Sequence, residues 1–526
     1  MQSTTQKHLK HIHLELLLML FVLLFHLIFA FILQSHANIG GDGIFTYTLA
    51  NNPYSFEYID PVYDDLPQSN GWINASILKE NYIVENYDRF NYSSVYWHQR
   101  IDNHPLLYYS LVHTVCSFFP GTYSRWFTMS INLFFLCCID ILFLKLFKKI
   151  YGHVSYCAVP FVFLFLQLVM QQLYTLPRMY LMLAFFCFWY LYIHWELITN
   201  NHWKKSSLIQ MICCIFLGSQ THYYFYVYAG SLTILTLAYL VHKHYNYKLC
   251  NYIYSGILGI AASWILFPWI IWHIFFNQMQ KHIAINSWSV TKLKNYVSFL
   301  NEQLFNGRGM IAVGVIIVLL LIMRFSKSEN TTATDHRIFQ KLAFGSGILF
   351  SLIIYTLDES VWYYSTPLYL TFIMWFSMVL IDAFRKIIIH KKTDMITISL
   401  SVITAVIILS LSSTINFAKD HIAEDRKSTE FSSIASSYKQ YDCIFIEERQ
   451  DNLLQGYFFE FGDYDEFKKI SVADFYQNGI NEDVLAGRST ENDFIVYAPV
   501  ECILSESEYQ FLESNGDYNI YQKTEG

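Results

Sequence analysis

A succession of apolar runs, each about 20 residues long, constrains this chain more than any other feature. As a helix, a run of that length reaches across a hydrocarbon core of about 30 Å, and a helix satisfies its own backbone hydrogen bonds where no water can. Runs at 13–33, 125–147, 154–172, 176–198, 206–219, 223–242, 253–276, 310–324, 340–357, 361–383 and 395–414 predict eleven spans. Composition agrees: of 526 residues, 54% are hydrophobic, 18% aromatic and only 15% charged. A chain of this length could otherwise hold about three soluble domains, but this balance points to an α-helical polytopic membrane protein.

Lys and Arg between the runs set the expected orientation, because short cytoplasmic loops are rich in both. Lys145, Lys148 and Lys149 share one loop, and Lys204 with Lys205 another. Lys243 and Lys248 follow, then Arg324, Lys327, Arg337 and Lys341, then Arg385, Lys386, Lys391 and Lys392. The loops between these groups hold Arg178 or no base, so the N-terminus is expected in the cytoplasm and the C-terminal tail outside. The first run is longer than a signal-peptide core and ends in QSHANIG, without a small-x-small cleavage site, so it reads as an uncleaved span.

Two outer loops are long. The first, 34–124, is dense in Tyr, Trp and Asn and includes a short apolar stretch, His104 to Phe119, read as a juxtamembrane helix. The second, 277–309, is polar and moderately basic and reads as a helical lid. The expected division is a membrane domain over 1–414 and a small α/β domain over 415–526, with YDCIFIEE and NDFIVYAPVE as buried strands and acidic helical stretches between them.

The net charge of −7 hides a split. From Asn416 onward 9 Lys and Arg face 23 Asp and Glu, while the rest is basic, with 26 against 19. An acidic tail on a basic membrane body does not suit nucleic-acid binding. The ten cysteines lack metal-ligand spacing; Cys443 and Cys502 could pair outside the cytosol or stay as buried thiols.

Polar chemistry concentrates on the expected outer face. Asp42 sits in GDGIFTYTLANN, just after the first run, and Asp102 and His104 in DNHPLLYY. Arg125, Arg178, His222, Asp358 and Glu359 lie at other outer ends of runs. A carboxylate at a membrane boundary is costly to desolvate and is a functional candidate by default. The competing readings are a solvated loop for Asp42, Asp358 and Glu359, a helix N-cap for Asp102, interfacial anchoring or an ion pair for Arg125 and Arg178, and a structural role for His104 and His222. The predicted spans carry few charges, unlike the mid-membrane ionisable residues of a transporter. Asn74-Ala-Ser and Asn91-Tyr-Ser are sequons on the first outer loop.

Taken in order, these pieces resemble the GT-C superfamily of polytopic glycosyltransferases that use polyprenyl-phosphate sugars. Within it they are most similar to the branch containing protein O-mannosyltransferases and the lipid A aminoarabinose transferase. The matching residues are Asp42, Asp102-x-His104-Pro105, Arg125, Arg178-Met179-Tyr180 and Thr221-His222-Tyr223-Tyr224, over roughly residues 10–230. The resemblance implies that Asp42 is the general base of an inverting sugar transfer. It implies contact with substrate, or site architecture, for Asp102, His104, Arg125, Arg178, His222 and Tyr363. The implied partners are the bilayer, a polyprenyl-phosphate sugar donor and a glycan, lipid or protein acceptor. The sequence departs from the family pattern at Asp42-Gly43, Leu176-Pro177, Leu106 and Trp362-Tyr363-Tyr364. These departures leave few hard oxygen ligands for a divalent metal, and no metal ligand is assigned. A non-catalytic transporter or flippase of lipid-linked glycans is the alternative.

Overall fold

A computed structural model describes residues 2–33, 41–53, 72–74, 81–102, 104–200, 204–276, 289–325, 334–357, 362–388, 393–410, 413–416, 419, 437–438, 441–447, 464–481, 484–485, 494–514 and 518–523. Helix α1 (Gln2–Leu33) leads into α2 (Gly41–Asn51), α3 (Tyr92–Ile101) and α4 (Leu107–Phe118). The bundle continues with α5 (Trp126–Tyr151), α6 (Ala158–Leu166), α7 (Leu168–Gln172), α8 (Tyr180–Thr199), α9 (Lys205–Ser219) and α10 (Tyr224–His242). After these come α11 (Asn246–Leu266), α12 (Trp269–Phe275), α13 (Val290–Phe305), α14 (Gly309–Phe325), α15 (Thr334–Leu357), α16 (Thr366–Ile387) and α17 (Thr393–Leu409).

Helices lie within all eleven apolar runs, but 154–172 is divided between α6 and α7 and 253–276 between α11 and α12. Among the described residues six helices, namely α5, α8, α10, α11, α15 and α16, are long and apolar enough to cross a membrane alone. Others are shorter: α9, at 15 residues, spans only about 22 Å. Helices α13 and α14 form one bent unit, turning by 79° at a break where Asn306 and Gly307 adopt positive φ. Asn306 stabilises the break by donating to the Leu166 and Leu409 carbonyls, both at 3.1 Å, at the ends of α6 and α17. The helical part of the second long loop is thus joined to the bundle, while 277–288 lies outside the described residues.

Helices α8 and α16 form the buried centre, and α5 packs on α8. At the edge, α11 turns Ile253, Tyr254, Ile257 and Ile265 outward. Its inner face carries Ser255, Gly259 and Ser263; a Cβ on Gly259 would stand 2.7 Å from Ile215 Cβ of α9. Small residues there let the two backbones approach closely. Buried polar clusters tie the helices together. His26 of α1 bonds Asp140 of α5 at 2.9 Å and the Tyr174 hydroxyl through its other nitrogen. At the end of the bundle away from α2–α4, Asp382 accepts from His336 Nε2 and Gln340 Nε2, each at 2.8 Å, and from Tyr151 at 3.1 Å. That cluster joins α5, α15 and α16.

The tail forms a mixed sheet with order β1-β3-β2-β4-β6-β5. The strands are β1 (Ile73–Asn74), β2 (Asp442–Glu447), β3 (Glu466–Ser471), β4 (Phe494–Pro499), β5 (Tyr509–Ser514) and β6 (Tyr518–Lys523), with helix α18 (Val472–Asn478) after β3. Strands β3, β2 and β4 are parallel, and β6 and β5 add antiparallel. The two expected strands are present as β2 and β4, whereas β3 occupies part of the stretch between them that reads as helical, and β5 and β6 follow where no element is predicted. Side chains alternate across the sheet. Cys443, Phe445, Ile495 and Tyr497 join the same apolar cluster as the membrane helices, while Ile444, Ile446, Val496 and Ala498 pack with Trp72 and Phe475. Strand β1 and Trp72 come from the first long loop, so that loop is stitched into the tail sheet. Cys443 and Cys502 are both buried free thiols.

Candidate active site

The end of the bundle that carries α2–α4 is built around the first turn after the apolar N-terminal helix. Helix α2 is held from both sides. Its last carbonyls, left without intrahelical partners, accept from imidazole Nδ1 groups: Leu49 from His98 at 3.0 Å and Ala50 from His113 at 2.8 Å. Asn51 Nδ2 donates to the Tyr82 carbonyl at 2.8 Å, and the Tyr47 hydroxyl to the Ser124 carbonyl at 2.9 Å. Asp42 falls in the first turn of this clamped helix, and its side chain lies outside the described residues.

Asp102 does not cap α4, whose N-cap is Leu106. It ends α3, and its carboxylate accepts from His104 Nδ1 at 2.8 Å. That bond fixes the ring and, in the neutral tautomer, leaves Nε2 as the lone-pair nitrogen. The Leu107 N–H donates to the Gln220 carbonyl at 2.9 Å, and Gln220 Nε2 donates to Ser263 Oγ at 2.8 Å. This joint brings the start of α4 against the turn before α10, so the His104 and His222 rings lie 5.8 Å apart.

Arg178 sits on a tight turn ahead of α8. Asn132 of α5 holds that turn by donating to the Leu176 carbonyl at 2.7 Å and the Leu173 carbonyl at 3.2 Å. Arg178 is 6% exposed and gives Nη1 to the buried Tyr109 hydroxyl at 3.0 Å. Two residues on, Tyr180 packs on Tyr363 with ring centroids 4.4 Å apart and lies 5.8 Å from His222. Tyr364 closes the cluster, 5.9 Å from His222 and 4.9 Å from Tyr224.

Asp102, His104, Arg178, His222 and Tyr363 are therefore brought together. Burial first, and then the neighbouring His104 and Arg178, hold the His222 pKa well below the ordinary imidazole value, so the ring stays neutral. Arg125 stands in a neighbouring group with Tyr123 and Tyr47. Tyr108 bridges the two groups: its neighbours include Tyr47, Tyr109 and Arg178. Its fully buried hydroxyl has no hydrogen-bond partner among the described residues, an unmet polar demand between α2 and Arg178. Asp358 and Glu359 lie outside the described residues. Among the described residues no three His, Cys, Asp or Glu side chains form a metal-ligand group.

Sequence reasoning missed His98, His113 and Asn132. Each is an ordinary polar residue in its own segment, and its role appears only when a carbonyl from elsewhere in the chain arrives beside it.

The whole chain superposes on the crystal structure of ArnT from Cupriavidus metallidurans bound to undecaprenyl phosphate. The TM-score is 0.51 at 9% identity, covering 96% of this chain and 97% of that one. The apo-state crystal structure of the same protein matches with a TM-score of 0.48 at 8% identity, over 89% of this chain and 97% of that one. No protein-family model and no curated protein matches the sequence. At this identity the likeness establishes architecture: the chain is a multi-pass integral membrane protein with the ArnT fold.

Proposed function

We propose that the protein is a membrane glycosyltransferase of GT-C type that moves a sugar from a polyprenyl-phosphate donor to an acceptor hydroxyl or similar nucleophile on the outer face, with the N-terminus in the cytoplasm. The observation that carries this reading is the convergence of buried Arg178 with His104, His222 and the Tyr180–Tyr363 pair, beside the clamped helix that bears Asp42. The whole-chain likeness to a protein crystallised with undecaprenyl phosphate supports it.

In this mechanism Asp42 takes the proton as the acceptor oxygen attacks the anomeric carbon from the face opposite the phosphate. The bond from that carbon to the phosphate oxygen breaks, and its electron pair leaves with the phosphate. A phosphate leaving group needs little protonation, so one base suffices if cations receive the charge. Arg178 is suited to that task because guanidinium stays charged and its planar fork matches phosphate oxygens. Neutral His222 and Asp102-oriented His104 shape the head-group pocket without adding a competing base cation.

The test compares lipid-linked sugars and surface glycans in cells with and without the protein. The proposal expects one lipid-linked sugar to accumulate and one decoration to vanish, with wild-type protein but not Asp42→Asn restoring both. Full restoration by Asp42→Asn would instead favour transport of the lipid-linked glycan.

A further inference from the structure

A second feature lies beside the site, on residues that the transfer mechanism does not use. The end of α3 and helix α12 enclose a cavity of about 440 Å³ lined by Arg100, Ile101, Trp269, Trp272 and His273. The Arg100 guanidinium is held between two indoles, 5.0 Å from the Trp97 ring and 4.4 Å from the Trp269 ring. Stacking of this kind fixes the guanidinium plane and leaves its N–H edge available. No carboxylate of the described residues pairs with Arg100. The nearest acid in the chain, Asp102, is engaged by His104 at 2.8 Å.

The cavity offers recognition without reactivity. Both His273 nitrogens are occupied, one by the Tyr223 hydroxyl at 2.5 Å and the other by the Arg100 carbonyl at 2.9 Å. The rim is apolar and open: Trp97, Trp272, Phe275 and Phe276 are each at least half exposed, and Ile101 is nearly so. Half-exposed indoles at the end of membrane helices sit at head-group depth. A ligand here meets one fixed cation above and apolar surface below.

We propose that this cavity binds the phosphate head group of an anionic phospholipid of the surrounding bilayer, with Arg100 as the phosphate contact and Trp97 and Trp269 as the residues that hold it in place. The half-exposed aromatic rim points to a bulk lipid of the bilayer as the occupant. The proposal does not depend on the transferase reading, so the two stand or fall separately.

The experiment uses the full chain in phosphatidylcholine nanodiscs doped with phosphatidylglycerol, and counts retained lipids by native mass spectrometry. Wild-type protein should retain phosphatidylglycerol over phosphatidylcholine. Arg100→Gln should lower that retention about tenfold, the scale of one lost charge-assisted contact. Arg100→Lys should recover part of it, since it keeps the charge without the fork. Inorganic phosphate, lacking the acyl chains, should displace the lipid only weakly. Equal phosphatidylglycerol retention by wild type and Arg100→Gln would overturn the proposal. So would Arg100-dependent retention of farnesyl phosphate in preference to phosphatidylglycerol, which would return the cavity to the donor.

Discussion

Replacing Tyr109 with Phe removes one hydroxyl and little else, and so isolates the hydrogen bond that fixes Arg178. The Tyr109 ring is fully buried and stays in place against His104, 6.2 Å away between centroids. What is lost is the 3.0 Å bond from Arg178 Nη1. A hydrogen bond to a charged group contributes about 1.5–3 kcal/mol, and a guanidinium N–H stripped of its partner inside the protein bears the desolvation cost. Arg178 has further interactions that can take up part of the loss, which places the effect near the lower limit, about 1.5 kcal/mol. If Arg178 receives the donor phosphate, that is roughly a tenfold fall in kcat/KM or in affinity for a prenyl phosphate. The assay is binding of farnesyl phosphate by purified protein, with thermal unfolding measured in parallel. Unchanged affinity with lowered stability would show that the Tyr109–Arg178 bond is purely architectural and would refute the assignment of Arg178 to the phosphate.

Other consequences follow from the same geometry. His222 is held neutral in the folded chain, whereas the unfolded chain binds a proton near the ordinary imidazole value of 6.5. Below that pH the unfolded state holds more protons, so stability rises with pH there and levels off above it; the unfolding midpoint should fall between pH 7.5 and 5.5, and less so in His222→Gln. Removing either imidazole that caps α2, by His98→Ala or His113→Ala, leaves a buried carbonyl unmet and should cost about 1–3 kcal/mol in chemical unfolding. At the far end, Asp382→Leu strands His336, Gln340 and Tyr151 and should destabilise by about 3 kcal/mol, while pairing it with His336→Leu should restore part of that, because a buried hydrogen-bonded pair is then replaced by apolar groups rather than broken.

How far the sequence could be read follows the range of the forces involved. Apolar runs predict helices because the signal is local, and helices lie within all eleven runs, although 154–172 and 253–276 are each broken in two. Their spanning is less legible: α9 is short and α13–α14 bends, since a hydropathy run records length but not direction. Asp102, His104, Arg178 and His222, which lie together in the structure, are legible as candidates because polar residues at the ends of apolar runs stand out. His98, His113, Asn132 and the His26–Asp140 pair did not, because their partners lie at least 40 residues away along the chain. Strand β3, Glu466–Ser471, escaped for a related reason. Its two adjacent lysines mask an edge that is buried between β2 and a strand supplied by the first long loop.

The most direct measurement is single-turnover transfer by purified Asp42→Asn protein, read beside its binding of a polyprenyl-phosphate sugar. The account predicts that the donor still binds and the protein still folds, while transfer falls by about 100-fold or more, the scale of a lost general base. Transfer within twofold of wild type would contradict it, and the clamped helix bearing residue 42 would then be architecture rather than the seat of the chemistry.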